Sequence, residues 1–569
     1  AKSSAAHEAA YQYFKAGMTT LARLGDAWDE HHQLAFDLHV LLAEAAYLTG
    51  KFDEMEALLE EALLHTRSAL EQSRVYEARL FANMSKDNRG DSLKVGLRAL
   101  EMLGVRFPLK PNMFQILGAL LKVRFMLRGK THNDLLNLPQ STDPRILTIA
   151  RIIRGMFTVV YTNAPALAPL VILKVVELTL KHGNTPMSPF GYVGYGFILT
   201  AVLNDIRTGS QYGRLSRLLI KKYPGVEAVS SSNVLYGTVL QHWNEDIRKT
   251  YATFDDCFTA SLDVGNYIMA ANALLIRDYH SYGAGMALGD LNENILRHLQ
   301  IIQQLRDVSI LNYEKLYHQV VLNLMGESAD PCELKGPVYD AEAMLPHHIA
   351  ANERSIILNV YLHPMILNYL FGRYQRALEY STLLEPYLDG GIGAFASSMN
   401  AMYASLVRIA LWNEAGSEQR KKWGKLIAAN QKKLHHWSKF APMNHRHKFL
   451  LVEAERARLE KRFGDAREYY DEAILYAQTN QFLNEEALAY ELAGKFYLDR
   501  RNFEMAERYL KNAHRAYKIW GAVAKVNDLE ANHPELVIQP ERPSSSVSTS
   551  SSSSLNRGEG SSALDLASI

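Results

Sequence analysis

Residues 447–520 contain two copies of one sequence pattern, and this repeat restricts the fold more than any other feature of the chain. A shift of 40 residues aligns Ala466 with Ala506, and it also aligns small and large residues on either side of that pair. Small residues at helical spacing are needed where two helices cross closely. The repeat positions are Ala454, Ala457, Ala466 and Ala473 in the copy at 447–480, and Gly494, Tyr497, Ala506 and Ala513 in the copy at 487–520.

The offsets within each copy are typical of tetratricopeptide helix pairs, although the period is longer than the usual value of about 34 residues. One helix pair cannot bury its inner face alone, so neighbouring pairs stack into a superhelix with a concave groove. Weaker copies flank turns at 49–52 and 371–374, whereas the helical pattern at 110–340 gives no repeat register. The sequence therefore predicts an all-α fold, a tetratricopeptide-like α-solenoid.

The helical pattern sets the expected domain boundaries. We assign residues 31–535 to the α-solenoid and residues 1–30 to an N-terminal helix that ends a preceding module. The serine-rich stretch at 536–563 predicts a disordered linker, because it has too little apolar surface to offset its ordering entropy. Residues 564–569 resemble the start of another helix. We therefore expect the chain to be a piece of a longer protein.

The charges of the chain are almost balanced, with 62 Lys+Arg against 61 Asp+Glu and a formal net charge of +1. A general nucleic-acid-binding protein carries a large basic excess, so we expect no nucleic-acid partner. Two cysteines exclude a disulfide scaffold. The chain shows neither the apolar region of a signal peptide nor an apolar run of about 18 residues. These features predict a cytoplasmic protein without a membrane span.

No motif predicts catalysis or cofactor binding. Gly129-Lys130-Thr131 resembles the end of a phosphate-binding loop, but Arg124 stands where that loop requires glycine. The glycines at 191–196 follow no strand and fit small residues at helix crossings better than a dinucleotide site. Histidine clusters lack metal-site spacing, so we expect them on exposed helix faces, with no catalytic, cofactor or metal site in the chain. These clusters lie at 31–32, 347–348, 435–436 and 445–447.

The stretch from 419 to 452 contains no acidic residue. One interpretation is a docking face for an acidic domain, a phosphorylated partner or anionic lipid. The other, which we favour from sequence alone, is that these cations lie on solvated helix faces and balance the acid-rich helices that follow. The residues of this patch are Arg420, Lys421, Lys422, Lys425, Lys432 and Lys433.

Four longer strings resemble the helical region of very large multidomain sensor histidine kinases. They are HVLLAEAAYLTGKF at 39–52, HGNTPMSPFGYVGYG at 182–196, ELAGKFYL at 491–498 and WGAVAKVNDLEANHP at 520–534. The resemblance implies a Ser/Thr-kinase-like domain and an AAA/STAND-type nucleoside-triphosphatase before this array, and a GAF domain and histidine kinase core after it. The closing LDLASI resembles the start of the helix that enters the GAF domain, and the serine-rich insertion before it suggests the fungal hybrid type. ATP and Mg²⁺ are then expected only in those other domains.

Three functions remain open. The leading hypothesis is a non-catalytic scaffold that binds a protein or peptide in its concave groove, or packs on its own NTPase, GAF and kinase domains, and relays a signal between them. The alternative is a small-molecule sensor with a pocket in the 110–340 region, lined by Tyr192, Tyr195, Tyr279 and Tyr282. A free-standing tetratricopeptide adaptor is the third.

Overall fold

The computed structural model describes residues 7–534 except 24, 86–88, 109, 224–225, 264 and 306. These residues form α-helices and no strands, apart from isolated bridges between Gln140 and Asn184 and between Lys335 and Asp340. The predicted all-α class is confirmed. The serine-rich linker at 536–563 and the expected helix start at 564–569 lie outside the described residues.

Two hydrophobic cores form along the first part of the chain. The first extends from Tyr11 to Ala82 and the second from Leu80 to Leu240, so they adjoin at α5. The helices around them are α1 (His7–Leu21), α2 (Ala27–Glu30), α3 (His32–Leu48), α4 (Phe52–Leu64), α5 (Ala69–Ser85), α6 (Arg89–Met102), α7 (Met113–Leu127), α8 (His132–Leu136), α9 (Pro144–Asn163), α10 (Ala168–His182), α11 (Ser188–Phe197), α12 (Ile206–Lys222) and α13 (Val226–Val239).

The third and largest core extends from Ile206 to Leu529. It is surrounded by α14 (Lys249–Asp263), α15 (Tyr267–Gly283), α16 (Leu288–Leu305), α17 (Val308–Met325), α18 (Ala341–Ala350), α19 (Arg354–Leu370), α20 (Tyr374–Leu384), α21 (Ala396–Ala410), α22 (Ser417–Phe440), α23 (Pro442–Leu459), α24 (Phe463–Thr479), α25 (Leu483–Asp499), α26 (Phe503–Trp520) and α27 (Val523–Asn532). In the described part of the chain, no helix is long and apolar enough to cross a bilayer.

The turns of the last helices explain the repeat length. Lys461, Gln481 and Arg501 stand 20 residues apart, and each adopts a left-handed backbone with φ of 60°, 57° and 57°. In each turn, the next N–H donates to the carbonyl five residues earlier, at 2.8–3.0 Å, which satisfies a free carbonyl at the helix end. One unit is thus a helix of 17 or 18 residues plus a three-residue turn. Two units give the 40-residue period.

Glycines allow α11 and α12 to approach backbone to backbone. A Cβ on Gly196 would lie 2.6 Å from the carbonyl oxygen of Gly209, and a Cβ on Gly191 would lie 2.7 Å from Val175. The prediction that the glycines of 191–196 stand at helix crossings is confirmed. The crossing leads into a π-helical turn at Ile198–Val202, which continues α11 toward the cleft described below.

We expect Gly196→Ala to lower the free energy of unfolding by about 2 kcal/mol, because the added methyl meets rigid backbone. The matched control is Gly464→Ala on α24, where a Cβ would meet no atom within 4 Å. That substitution should stabilise the chain by about 0.5–1 kcal/mol through helix propensity. Urea unfolding measures both. Equal stabilities of the two variants would contradict the close approach.

The third core leaves no open groove along its central helix. Every residue of α19 from Ile356 to Leu370 is buried, and α21 is buried almost throughout. An α-helix buried on all sides is surrounded by other elements rather than facing a solvent channel. The expected concave groove is therefore filled along α19, because later helices pack against the middle of the chain.

Candidate functional site

Two segments about 200 residues apart in sequence meet inside the third core, and we call this set of contacts the closure. The indole N–H of Trp243 donates to the carbonyl of Gly393 at 3.0 Å. The Arg248 guanidinium donates to the carbonyls of Ala284 at 2.7 Å and Gln481 at 2.6 Å. These bonds join the region after α13 to the turns before α21 and α25.

Asn444, at the start of α23, is the central residue of the closure. Its amide donates to the carbonyls of His242 and Glu245, both at 2.7 Å, and its side-chain oxygen accepts from the N–H of Ile247 at 3.1 Å. The side chain is fully buried. A buried donor or acceptor without a partner costs about 1–3 kcal/mol, so only asparagine or a close equivalent satisfies all three backbone groups here.

An ion pair lies one helical turn from Asn444. The ammonium of Lys448 donates to the carboxylate of Glu485 on α25 at 2.5 Å, and His447 bonds the same carboxylate. The lysine side chain is wholly buried, and its ammonium lies 4.4 Å from the Phe482 ring centroid. Burial opposes ionisation of Glu485, but the charges and hydrogen bonds of Lys448 and His447 together outweigh burial and hold the pKa of that carboxyl below its usual value.

Buried histidines surround the closure. Burial lowers the pKa of His242 to about 3 and that of His447 to about 4. His445 is also fully buried, and neither of its ring nitrogens has a hydrogen-bond partner among the described residues. The expectation of exposed histidine clusters is thus wrong for 445–447, and also for His348, because these rings point into the core.

The acid and base side chains of the closure bond to one another. Lys448 and Glu485 are satisfied by each other. Burial raises the pKa of Cys257 and of Cys332 to about 12, which keeps both thiols protonated. Across the described ranges, no group of three or more His, Cys, Asp or Glu side chains is placed to hold a metal. The contacts of the closure link segments of the chain that are distant in sequence.

A cleft of about 670 Å³ opens between the end of α7 and the α11–α12 crossing. Arg124 and Arg128 line one side, Tyr195 and Tyr212 line the other, and Asp205 lies at the start of α12. The rings of the two tyrosines meet edge to face, with centroids 4.8 Å apart. Cationic and aromatic groups converging on one cleft suit an anionic planar ligand.

The four tyrosines expected to line one pocket do not meet. Tyr192 and Tyr195 belong to the second core, whereas Tyr279 and Tyr282 belong to the third. Tyr195 lines the cleft, but Tyr192 is buried beneath it. The predicted single pocket is therefore wrong, since the middle of the chain divides between two cores.

A comparison with curated proteins relates the chain to signalling kinases. It is 20% identical over 352 residues to hybrid signal transduction histidine kinase G of Dictyostelium discoideum. The match covers 57% of this chain and 10% of that protein, so the chain spans about a tenth of its relative. A search against family models finds no match. The similarity supports a signalling context.

The basic patch lies on the outer side of α22. Lys421, Lys422, Lys425, Lys432 and Lys433 are exposed. The guanidinium of Arg420 instead donates to the carbonyls of Trp412 and Asn413, where it fixes the turn before α22. The exposed lysines fall on adjacent rows of one helix and form a continuous cationic ridge.

The repeat positions all lie inside the array. Gly494 faces Leu510, whose side chain would stand 2.7 Å from an added Cβ, and Tyr497 stacks on Tyr509. The buried alanines among these positions are Ala454, Ala457, Ala466, Ala473, Ala506 and Ala513.

No sequence pattern identified Asn444, Lys448 or Glu485 as a site. A signal exists for the lysine, because it stands three and four residues before Leu451 and Val452 on the buried face of α23. A charged residue on an apolar helix face requires a buried partner of opposite charge. The sequence of α23 alone does not show that this partner is Glu485.

Proposed function

We propose that the chain is a non-catalytic, tetratricopeptide-like α-solenoid within a cytoplasmic histidine kinase of hybrid type. It would carry conformational changes between an NTPase module and a GAF and kinase output. The observation that carries this proposal is the closure. Because Trp243, Arg248 and Asn444 join the middle of the array to its last helices, displacement of those helices should also move the middle.

The end of the array supports this relay. The indole N–H of Trp520, the last residue of α26, donates to the carbonyl of Met286 at 3.1 Å. Gly521 lies against Leu288, and Gly326 at the end of α17 lies against Val523 of α27. A domain attached beyond α27 would therefore act on α15–α17 as well as on its sequence neighbours.

Hydrogen–deuterium exchange of the Asn444→Ala variant tests the relay. We expect faster exchange at 242–248 and at 523–532, although position 444 lies in neither segment, because loss of the closure frees both. Asn480→Ala is the matched control, since Asn480 bonds only the carbonyl of Tyr476 in its own helix. Faster exchange confined to α23 would overturn the relay.

Two further measurements test the remaining parts. The isolated chain with ATP and Mg²⁺ should neither hydrolyse ATP nor become phosphorylated, and activity in either assay would overturn the non-catalytic role. The flanking coding sequence should encode a phosphate-binding loop upstream and a histidine kinase core downstream. A stop codon directly after residue 569 would favour the free-standing adaptor instead.

The ridge on α22 is the proposed docking face for an acidic domain or phosphorylated partner of the same kinase. Exposed cations mainly add long-range attraction, so binding should weaken as salt rises. Charge reversal of Lys421, Lys422, Lys432 and Lys433 to glutamate should abolish it. Binding that changes neither with salt nor with charge reversal would show that these lysines do not contact the partner.

Small-molecule sensing is the second candidate, and the cleft beside α7 favours it. A ligand seated there should raise the thermal midpoint saturably, and Arg128→Ala should raise the half-saturating ligand concentration about tenfold through loss of one charged contact. Ligand stabilisation that Arg128→Ala leaves unchanged would place the ligand elsewhere.

A further inference from the structure

Helix α7 exposes an apolar ridge to solvent. Its inner face, formed by Leu120, Val123 and Leu127, is buried in the second core. On the outer face, Phe114 is 85% exposed and Phe125 is 75% exposed. The remaining exposed apolar side chains of this ridge are Met113, Leu117 and Leu121.

Such a ridge is unusual on a protein surface. Burying apolar surface lowers the free energy by about 25 cal/mol for each Å² removed from water. A contiguous patch of exposed apolar side chains therefore marks a surface that binds another molecule or a membrane. Phe114 is the most exposed large apolar side chain of the described residues, and Phe125 is as exposed as Tyr13. Leu121 and Phe125 also border the cleft beside α7.

Cations surround the ridge. Residues 102–133 contain no Asp or Glu and include six Lys or Arg residues. Arg106 pairs with Glu101 at 3.2 Å, and Lys122 pairs with Glu177 at 2.8 Å. The other four form no ion pair within the described part of the chain. They are Lys110, Arg124, Arg128 and Lys130.

We propose that α7 docks the chain on an anionic membrane surface, with the phenylalanines inserted among the lipid tails and the cations at the headgroups. An amphipathic helix that combines an apolar face with flanking Lys and Arg binds in this way. Its 15 residues lie in the interface and do not cross the bilayer.

Charge and shape decide between the occupants. A second copy of this chain placed on the ridge would bring like charges together, which is unfavourable. A protein partner would need a groove shaped to accept protruding phenylalanines, whereas a fluid bilayer needs none. Anionic lipid therefore fits both features with the fewest requirements.

The chain allows a direct measurement of insertion, because both native cysteines are buried. Gly118→Cys, on the ridge, can carry an environment-sensitive fluorophore, and Gly464→Cys on α24 is the matched control; a Cβ meets no atom within 4 Å at either glycine. With vesicles of about 30 mol% phosphatidylserine in phosphatidylcholine, the label at 118 should brighten severalfold. The label at 464 should not change, and pure phosphatidylcholine vesicles should give little signal at either position.

Cosedimentation with the same vesicles tests the residues. Phe114→Ser with Phe125→Ser should weaken binding at least about tenfold, and Arg124→Glu with Arg128→Glu should do the same. Leu475→Ser with Phe503→Ser, exposed apolar residues of other helices, should leave binding unchanged. Absence of binding, equal loss in the control, or binding of a soluble acidic helical peptide in place of vesicles would overturn the proposal.

Discussion

Replacing Lys448 with methionine should lower the free energy of unfolding by about 3–5 kcal/mol, the cost of leaving a buried charge without its partner. The ammonium of Lys448 lies 2.5 Å from the Glu485 carboxylate, and both side chains are buried. Methionine fills a similar volume, so the loss is electrostatic rather than a cavity. Chemical denaturation followed by circular dichroism measures it.

The partner residue makes this prediction specific. Lys448→Met combined with Glu485→Gln removes both charges, and a glutamine amide still reaches His447. We expect the double variant to regain most of the lost stability, since a buried ion pair replaced as a whole is often neutral. Lys335→Met, at an exposed pair with Glu342, should change stability by less than about 0.5 kcal/mol. A double variant as unstable as the single one would contradict direct coupling.

Local patterns predicted the helices well, because helix formation and turn geometry depend on neighbouring residues. The turn at 49–52 is an example: Gly50 has a φ of 80°, and the N–H of Lys51 donates to the carbonyl of Ala46 at 2.8 Å. The last repeats show the same geometry with Lys461, Gln481 and Arg501 in place of glycine.

The closure was not predictable in the same way. Asn444 bonds backbone groups about 200 residues away, and no periodicity connects such positions. Stacked helix pairs predict an open groove, but that expectation holds only while distant helices stay apart. Here α19 is enclosed, and His445 and His447 of α23, which were expected at the surface, lie in the interior.

The interior also predicts how the chain responds to acid. Five fully or almost fully buried histidines have a pKa below the usual 6.5, in each case chiefly because burial disfavours the charged ring. The unfolded chain binds these protons near pH 6.5, whereas the folded chain does not until the pH is much lower. The histidines are His242, His280, His363, His445 and His447.

The free energy of unfolding should therefore keep its full value above about pH 7 and fall as the pH drops through 6.5. By pH 5 each histidine should have lowered it by about 2 kcal/mol. Glu314 opposes this trend, because burial and then nearby Asp278 raise the pKa of its carboxyl well above the usual value, so the folded state holds that proton. Burial also raises the pKa of Glu77 and of Glu486, so these carboxyls act in the same direction as Glu314. Three carboxyls offset only part of five imidazoles. We expect a net loss of several kcal/mol between pH 7 and pH 5, a large share of the total stability of a folded domain.

Unfolding measured in urea from pH 7 to pH 5 tests this loss, and His363→Phe identifies its source. Neither ring nitrogen of His363 has a hydrogen-bond partner among the described residues, and its ring meets Tyr282 and Tyr317 edge to face. Phenylalanine keeps those contacts and removes the titrating group. Below pH 6 the free energy of unfolding of His363→Phe should therefore fall with a slope that is smaller than that of the original chain by about 1.4 kcal/mol per pH unit. The exposed His347→Gln should keep the original slope. Three of these histidines, His242, His445 and His447, lie at the closure. Acid should therefore open the closure first, and hydrogen exchange at 242–248 should accelerate before global unfolding. Uniform acceleration along the whole chain would show that acid sensitivity does not originate at the closure.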